Sequence, residues 1–255
     1  MAVHWKSETV TVNGNKTEIL TAGEGEPLMF WHGAGTGGGW DFAAPWAEKF
    51  KVYIPLHPGW GGSADDTSMT GMQDYVMHYL DLLDQLKIAK FSLIGFSMGG
   101  WMAATFATQH AEKLKKLVLV GPAGLRVKEH PTTDLFKIKP EEIAPYLAEN
   151  LAVLGPPPDP HDIDFIVNAY REQTSFARVA WERVYDSKLP KYLHRITVPT
   201  LLVWGKQDKL VPSAQEKTWT KLIPHAQVKM FEPAGHLVLN EKPEAVRAIL
   251  EFLAS

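Results

Sequence analysis

A serine between small residues, a distant histidine and an aspartate between the two in chain order could together perform nucleophilic acyl transfer. Gly95-Phe96-Ser97-Met98-Gly99 follows the apolar run Phe91-Ser92-Leu93-Ile94 and precedes a helical pattern opening at Gly100. A serine on a sharp strand-to-helix turn needs small neighbours, because its strained backbone draws strand and helix together. The same turn brings it to a helix amino terminus, where N–H groups are unpaired and the dipole favours an anion.

A serine hydroxyl is a weak nucleophile until a base takes its proton. Of ten histidines, His236 follows the last strand candidate, on a loop at the sheet's carboxyl edge. His225 precedes that strand, at the opposite edge. His4, His78, His110, His130, His161 and His194 read as solvent-facing or capping. The base needs a carboxylate to fix its tautomer and stabilise its charged form. Asp208, four residues past the strand Thr200–Trp204, reaches the same edge; Glu232 sits too close to its own strand, and Asp65 and Asp66 read as caps or solvated charges. The expected unit is Ser97, Asp208 and His236. Acyl transfer also needs donors aimed at the developing oxyanion. The loop His32–Gly39 holds five glycines in eight residues, and the amides of Ala34 and Met98 are the expected pair. It lacks the register of a phosphate-binding loop.

The elements that must position these groups are short β-branched runs alternating with helical periods. Glu8–Asn13 and Lys16–Leu20 flank an Asn-Gly hairpin signal. Leu28–Trp31, Val52–Pro55, Phe91–Ile94, Leu117–Val120, Thr200–Trp204 and Val228–Phe231 read as strands buried on both faces, as in a parallel sheet. Met72–Leu86, Trp101–Thr108, Ala214–Leu222 and Glu244–Leu253 read as helices. The fold class expected is α/β, a doubly wound and mostly parallel sheet. Between Gly124 and Arg195 no strand candidate occurs. Helical patterns at Ile143–Leu154, Ile163–Ala169 and Ser175–Tyr185, punctuated by prolines such as the breaker Gly155-Pro156-Pro157-Pro158 (with Pro160 beyond it), read as an inserted lid over the strand ends.

Composition narrows the remaining classes. The chain of 255 residues has a net charge of −3 with interspersed signs, so no basic stripe offers a nucleic-acid partner. With no cysteine, disulfides, thiolate metal sites and cysteine nucleophiles are excluded. No stretch of eighteen apolar residues spans a membrane and no signal layout opens the chain, so a cytoplasmic protein acting on a small molecule is expected. Its oligomeric state is not legible.

The sequence resembles the α/β-hydrolase fold family over nearly its whole length. His32-Gly33 resembles that family's oxyanion loop, Pro58-Gly59-Trp60-Gly61-Gly62-Ser63 its P-G-x-G-x-S turn, and Ser97, Asp208 and His236 match nucleophile, acid and base. His57 departs from the pattern, in an approach where an acidic residue is common, and a structural role is expected of it. The resemblance implies a core of residues 1–123 and 196–255, a cap of 124–195, and a serine hydrolase of carboxylesterase type with no metal and no organic cofactor.

Trp40, Phe96, Met98 and Trp101 near the elbow, and Phe165, Tyr170, Phe176, Trp181 and Tyr185 in the cap, are candidate pocket walls, which favours an uncharged acyl ester. Arg171, Arg178 or Arg183 could instead clamp a carboxylate. That would suit a carbon–carbon bond hydrolase of a diketo acid, a subfamily that Gly121-Pro122-Ala123-Gly124 also resembles. A cofactor-free perhydrolase or haloperoxidase and a non-catalytic ligand receptor remain as alternatives.

Overall fold

Asn13 and Gly14 both adopt positive φ, 48° and 86°, the backbone that a two-residue hairpin turn requires. They join β1 (Lys6–Val12) to β2 (Asn15–Ala22) in antiparallel register, Val12 opposite Asn15. The computed structural model describes residues 3–36, 39–156, 159 and 161–255. Gly37 and Gly38 of the glycine loop, and Pro157, Pro158 and Pro160 of the proline breaker, lie outside the described residues.

Six further strands complete one sheet: β3 (Glu26–Trp31), β4 (Phe50–Pro55), β5 (Phe91–Phe96), β6 (Leu114–Val120), β7 (Thr200–Gly205) and β8 (Gln227–Phe231). Their order is β1-β2-β4-β3-β5-β6-β7-β8. β2 meets β4 antiparallel, and from β4 to β8 every pairing is parallel. The carboxyl ends of β3, β5, β7 and β8 therefore share one edge.

Alternation along a strand sends successive side chains to opposite faces. Met29 and Trp31 of β3 enter one core, with Tyr75, Tyr79 and Leu83 of α1 (Met72–Gln85) and Met102 and Phe106 of α2 (Met98–Gln109). Leu28 and Phe30 enter the other, with Trp46 and with Val246 and Ile249 of the carboxyl-terminal helix Pro243–Ala254. Both faces of the central strands are covered, hence their continuous hydrophobicity. β8 departs from that expectation. Gln227, Val228 and Lys229 are exposed, because β8 is the sheet's last strand, and a lysine there discourages pairing with another chain.

Between β6 and β7 the described residues form helical turns, α3 (Ala144–Leu147), and one long helix, α4 (Ile163–Ala180). A lone bridge pairs Gly124 with Tyr185. Two expectations change here. Ile143–Leu154 is not one helix: α3 stops at an extended Ala148, and the amides of Glu149 and Asn150 donate to Glu241 Oε2 at 3.0 and 2.9 Å instead of to helical carbonyls. Ile163–Ala169 and Ser175–Tyr185 are one helix ending at Ala180, opened by Asp162, whose side chain accepts the Phe165 amide. Beyond β7 come α5 (Glu216–Leu222), α6 (Val238–Glu241) and α7 (Pro243–Ala254). Among the described residues no helix is long and apolar enough to cross a membrane.

Candidate active site

Ser97 stands between β5 and α2 with φ 56° and ψ −115°, a left-handed conformation that costs a non-glycine residue about 1–3 kcal/mol. Its neighbours explain how the turn persists. A Cβ on Gly99 would lie 2.1 Å from the Trp31 carbonyl oxygen, and one on Gly95 2.5 Å from that of Gly99. Only glycines let the helix come this close to the strands. The Ser97 amide donates to the Val120 carbonyl (2.9 Å), and its own carbonyl accepts the amides of Trp101 and Ala123 (both 3.1 Å). The hydroxyl is thereby aimed by backbone on both sides.

From the ends of β7 and β8 two side chains converge on it. His236 Nε2 lies 2.9 Å from Ser97 Oγ, and His236 Nδ1 lies 2.7 Å from Asp208 Oδ2. The other carboxylate oxygen of Asp208 accepts the amides of Leu210 (2.9 Å) and Val211 (2.8 Å). With Oδ2 left for the imidazole, Nδ1 carries the proton and Nε2 faces the hydroxyl as an acceptor. All three residues are buried, so little water weakens the chain of bonds. Glu232 is exposed, and His225 bonds the Val198 carbonyl at the opposite edge.

The expected oxyanion donors lie beside them. Met98 is the first residue of α2, and Gly33 packs so close to the elbow that a Cβ would lie 3.2 Å from Ser97 Cβ. Among the described residues no protein acceptor takes the amide of Ala34 or of Met98. Behind the loop, His32 and His57 stack with centroids 3.6 Å apart. The His57 amide donates to His32 Nε2 (3.0 Å), and His32 Nδ1 therefore donates to the Gly33 carbonyl (2.8 Å). His57 Nε2 donates to the His32 carbonyl (2.9 Å) while Tyr79 supplies its hydroxyl to Nδ1. Every ring nitrogen is used by a neutral imidazole. Burial holds His32 down to about 3, and burial together with the neighbouring His32 holds His57 well below the usual histidine range. The structural role expected of His57 is thus a buried brace. His78 is a correction: it is buried, within 3.2 Å of Thr17 Oγ1, and not solvent-facing.

Ser97, His236, Ala34 and Met98 open onto a cavity of about 380 Å³, within the size range of small-molecule sites. Of the expected walls, Trp40, Phe96, Trp101 and Phe176 line it, joined by Leu135, Ile143, Leu147 and Val153, which the sequence did not single out. Phe165 and Trp181 do not. Phe165 faces solvent on α4, and Trp181 stands 69% exposed against Phe136, beside a separate hollow also lined by Tyr185. Tyr170 is exposed as well. No lysine, arginine, aspartate or glutamate lines the main cavity among the described residues. The three arginines are occupied elsewhere: Arg171 donates to the Gly61 carbonyl, Arg178 pairs with Asp65, and Arg183 lies by the Tyr185 ring. Asp65 is therefore an ion-pair partner and not a cap. Among the described residues no cluster of ligating side chains could hold a metal.

Solved structures share this architecture, and other proteins match the chain in sequence. The chain is 31% identical to a 2-hydroxy-6-oxo-6-(2'-aminophenyl)hexa-2,4-dienoic acid hydrolase of Metapseudomonas resinovorans, over 96% of this chain and 90% of the relative. It is 30% identical to monoacylglycerol lipase ABHD6 of Mus musculus, over 80% of this chain and 67% of the relative. The crystal structure of the enol-lactonase from Burkholderia xenovorans LB400 superposes with a TM-score of 0.79 at 20% identity, covering 97% of this chain and 100% of that one, which speaks to the fold. The model described as the alpha/beta hydrolase family matches residues 28–249, from β3 into α7, and the chain belongs to that family.

Proposed function

We propose that this protein is a cytoplasmic serine hydrolase that cleaves uncharged esters of apolar acyl groups by way of an acyl-enzyme. The observation that carries the reading is the Ser97–His236–Asp208 chain of hydrogen bonds opening onto a cavity that, among the described residues, no lysine, arginine, aspartate or glutamate lines. Ser97 Oγ attacks the carbonyl carbon as His236 Nε2 takes its proton. The carbonyl oxygen becomes an oxyanion received by the amides of Ala34 and Met98. His236 returns the proton to the leaving alcohol. Water, deprotonated by the same nitrogen, then attacks the acyl carbon and frees Ser97. Neither metal nor organic cofactor enters these steps. Residues 124–195 act as the cap, supplying the cavity's far wall through Leu135, Ile143, Leu147 and Phe176.

A second reading, carbon–carbon bond hydrolysis of a diketo acid, is favoured by the name of the Metapseudomonas relative. Against it stands the cavity lining, which among the described residues offers a buried substrate carboxylate no lysine or arginine, a costly arrangement. The two are separated by assaying p-nitrophenyl butyrate and a ring-fission diketo acid with wild type and with Ser97→Ala. Turnover of the ester should exceed that of the acid, and Ser97→Ala should lower it by roughly 10⁶-fold, the scale for losing the nucleophile of such a unit. Near-full ester turnover by Ser97→Ala would defeat the acyl-enzyme reading.

A further inference from the structure

The loop that presents the Ala34 amide has little stiffness of its own. Gly33 and Gly35 flank that amide and Gly39 follows, and glycines lose more conformational freedom on ordering than any other residue. Something outside the loop must hold it. Two restraints come from the core, the His32–His57 brace and Trp60, whose Nε1 donates to the Ala34 carbonyl at 2.9 Å.

A third restraint comes from the segment between β6 and β7. Glu172, on α4 and half-buried, accepts the Thr36 amide on Oε2 at 3.2 Å. Its Oε1 accepts the Thr36 hydroxyl and the Gly61 amide, the latter at 3.3 Å. One carboxylate thus gathers three donors from two loops, and one of those loops carries the candidate oxyanion donor two residues away.

The helix bearing Glu172 is itself fastened. Arg171 donates to the Gly61 carbonyl, and Arg178 bonds both oxygens of Asp65. Gly59, at φ 93°, leaves room where a Cβ would lie 2.1 Å from Ser175 Oγ. Along one face of α4, residues 171, 172, 175 and 178 all meet the turn 59–65. They recur at helical spacing.

We propose that Glu172 is a positioning residue for the oxyanion loop, holding the Ala34 amide on target through Thr36 so that acyl transfer depends on α4 being seated. The inference rests on the acyl-transfer reading above and adds a residue that touches no reacting atom. Its signature is selective. An amide displaced by a fraction of an ångström binds an oxyanion badly while the apolar cavity still binds a neutral ligand.

The test uses the intact protein as wild type, Glu172→Ala, Glu172→Gln and Ser97→Ala. Steady-state kinetics on p-nitrophenyl butyrate are paired with inhibition by butylboronic acid, which becomes tetrahedral and anionic on the serine, and with direct binding of butanol in the absence of ester, where no acyl-enzyme exists for the alcohol to intercept. Glu172→Ala should lose roughly 10- to 100-fold in kcat with KM within threefold, part of the effect of deleting a whole oxyanion donor. Boronate affinity should fall in proportion while butanol affinity stays within twofold. Glu172→Gln, the same shape, keeps an acceptor for the Thr36 amide but meets the Gly61 N–H with a donor. It should lose about three- to tenfold with the same selectivity. If Glu172→Ala does not fold, Glu172→Gln decides by that criterion. Variants that keep kcat within twofold, or that lose boronate and butanol affinity together, overturn the inference. If Ser97→Ala stays active, the acyl-transfer reading itself falls. If Ser97→Ala is dead while the Glu172 variants are unchanged, only the role of Glu172 falls.

Discussion

Ser97 and Trp101 at the elbow are less than a tenth exposed, whereas Tyr170 and Trp181 in the segment between β6 and β7 expose about seven-tenths of their surface. The elbow is made of backbone in contact with backbone, at distances that admit no extra methyl group. The segment is short turns and one long helix, which a row of polar side chains along one face ties to the turn 59–65. A rigid sheet edge can hold reacting atoms to within tenths of an ångström, while a looser segment can shape a cavity and vary without unmaking the fold. The two regions should therefore answer differently to the same kind of perturbation.

The largest difference is expected at Gly99. A methyl group there would lie 2.1 and 2.4 Å from the carbonyl oxygens of Trp31, the last residue of β3, and His32 just beyond it, backbone atoms that cannot swing aside as a side chain can. Gly99→Ala should cost about 3 kcal/mol or more, the upper range for overpacking, read as a fall in the urea midpoint. It should abolish the proposed esterase activity in whatever fraction folds. A variant with wild-type midpoint and activity would break the contrast at its rigid end.

Acid should next separate the regions. His32, His57 and His78 lie in the sheet-bearing part, and burial holds His32 to about 3, His78 to about 4 and His57 well below the ordinary value. Unfolded, each takes up a proton below about 6.5. The unfolded state then binds more protons, so stability is complete above about pH 6.5 and declines as pH falls from there towards 4. Each histidine contributes about 1.4 kcal/mol per pH unit within that window. Urea unfolding at pH 7.5, 5.5 and 4.5 measures the slope. His78→Gln should lower it by about one proton. A slope unchanged by His78→Gln would count against the assignment.

The same contrast governs what could be read from the chain. Ser97, Asp208 and His236 were legible because each lies just past a short apolar run, and parallel strands bring such positions to one edge. The hairpin followed from Asn13-Gly14. The sequence pattern divides the long helix α4 in two because Tyr170–Thr174 is a polar run that looks like a loop. It is polar because Arg171 and Glu172 bond the turn at Gly61. Phe165 and Trp181 misled for the converse reason, since aromatic character says nothing about which side of a helix faces the sheet. The His32–His57 brace carries no signal in sequence spacing, because its partners are 25 residues apart and meet only when β3 pairs with β4.

The smallest effect lies within α4 itself and sharpens the comparison to one helix. Phe176 lines the cavity and stacks on Phe136, with centroids 5.2 Å apart and rings inclined by 22°. Tyr170, nearly two turns earlier, is 70% exposed and does not line the cavity. Truncating Phe176 removes apolar surface from a ligand's wall and from a stacked pair, so Phe176→Ala should lower kcat/KM for a butyrate ester by roughly tenfold, on the scale of a methylene or two of lost contact. The deficit should shrink as the acyl chain lengthens into the vacated space. Tyr170→Ala should leave kcat/KM within twofold and stability within about 0.5 kcal/mol, as for surface substitutions generally. A chain-length profile identical for wild type and Phe176→Ala would mean that the acyl group does not reach this wall, and would move the acyl site towards Trp40 and Phe96 on the sheet-bearing side.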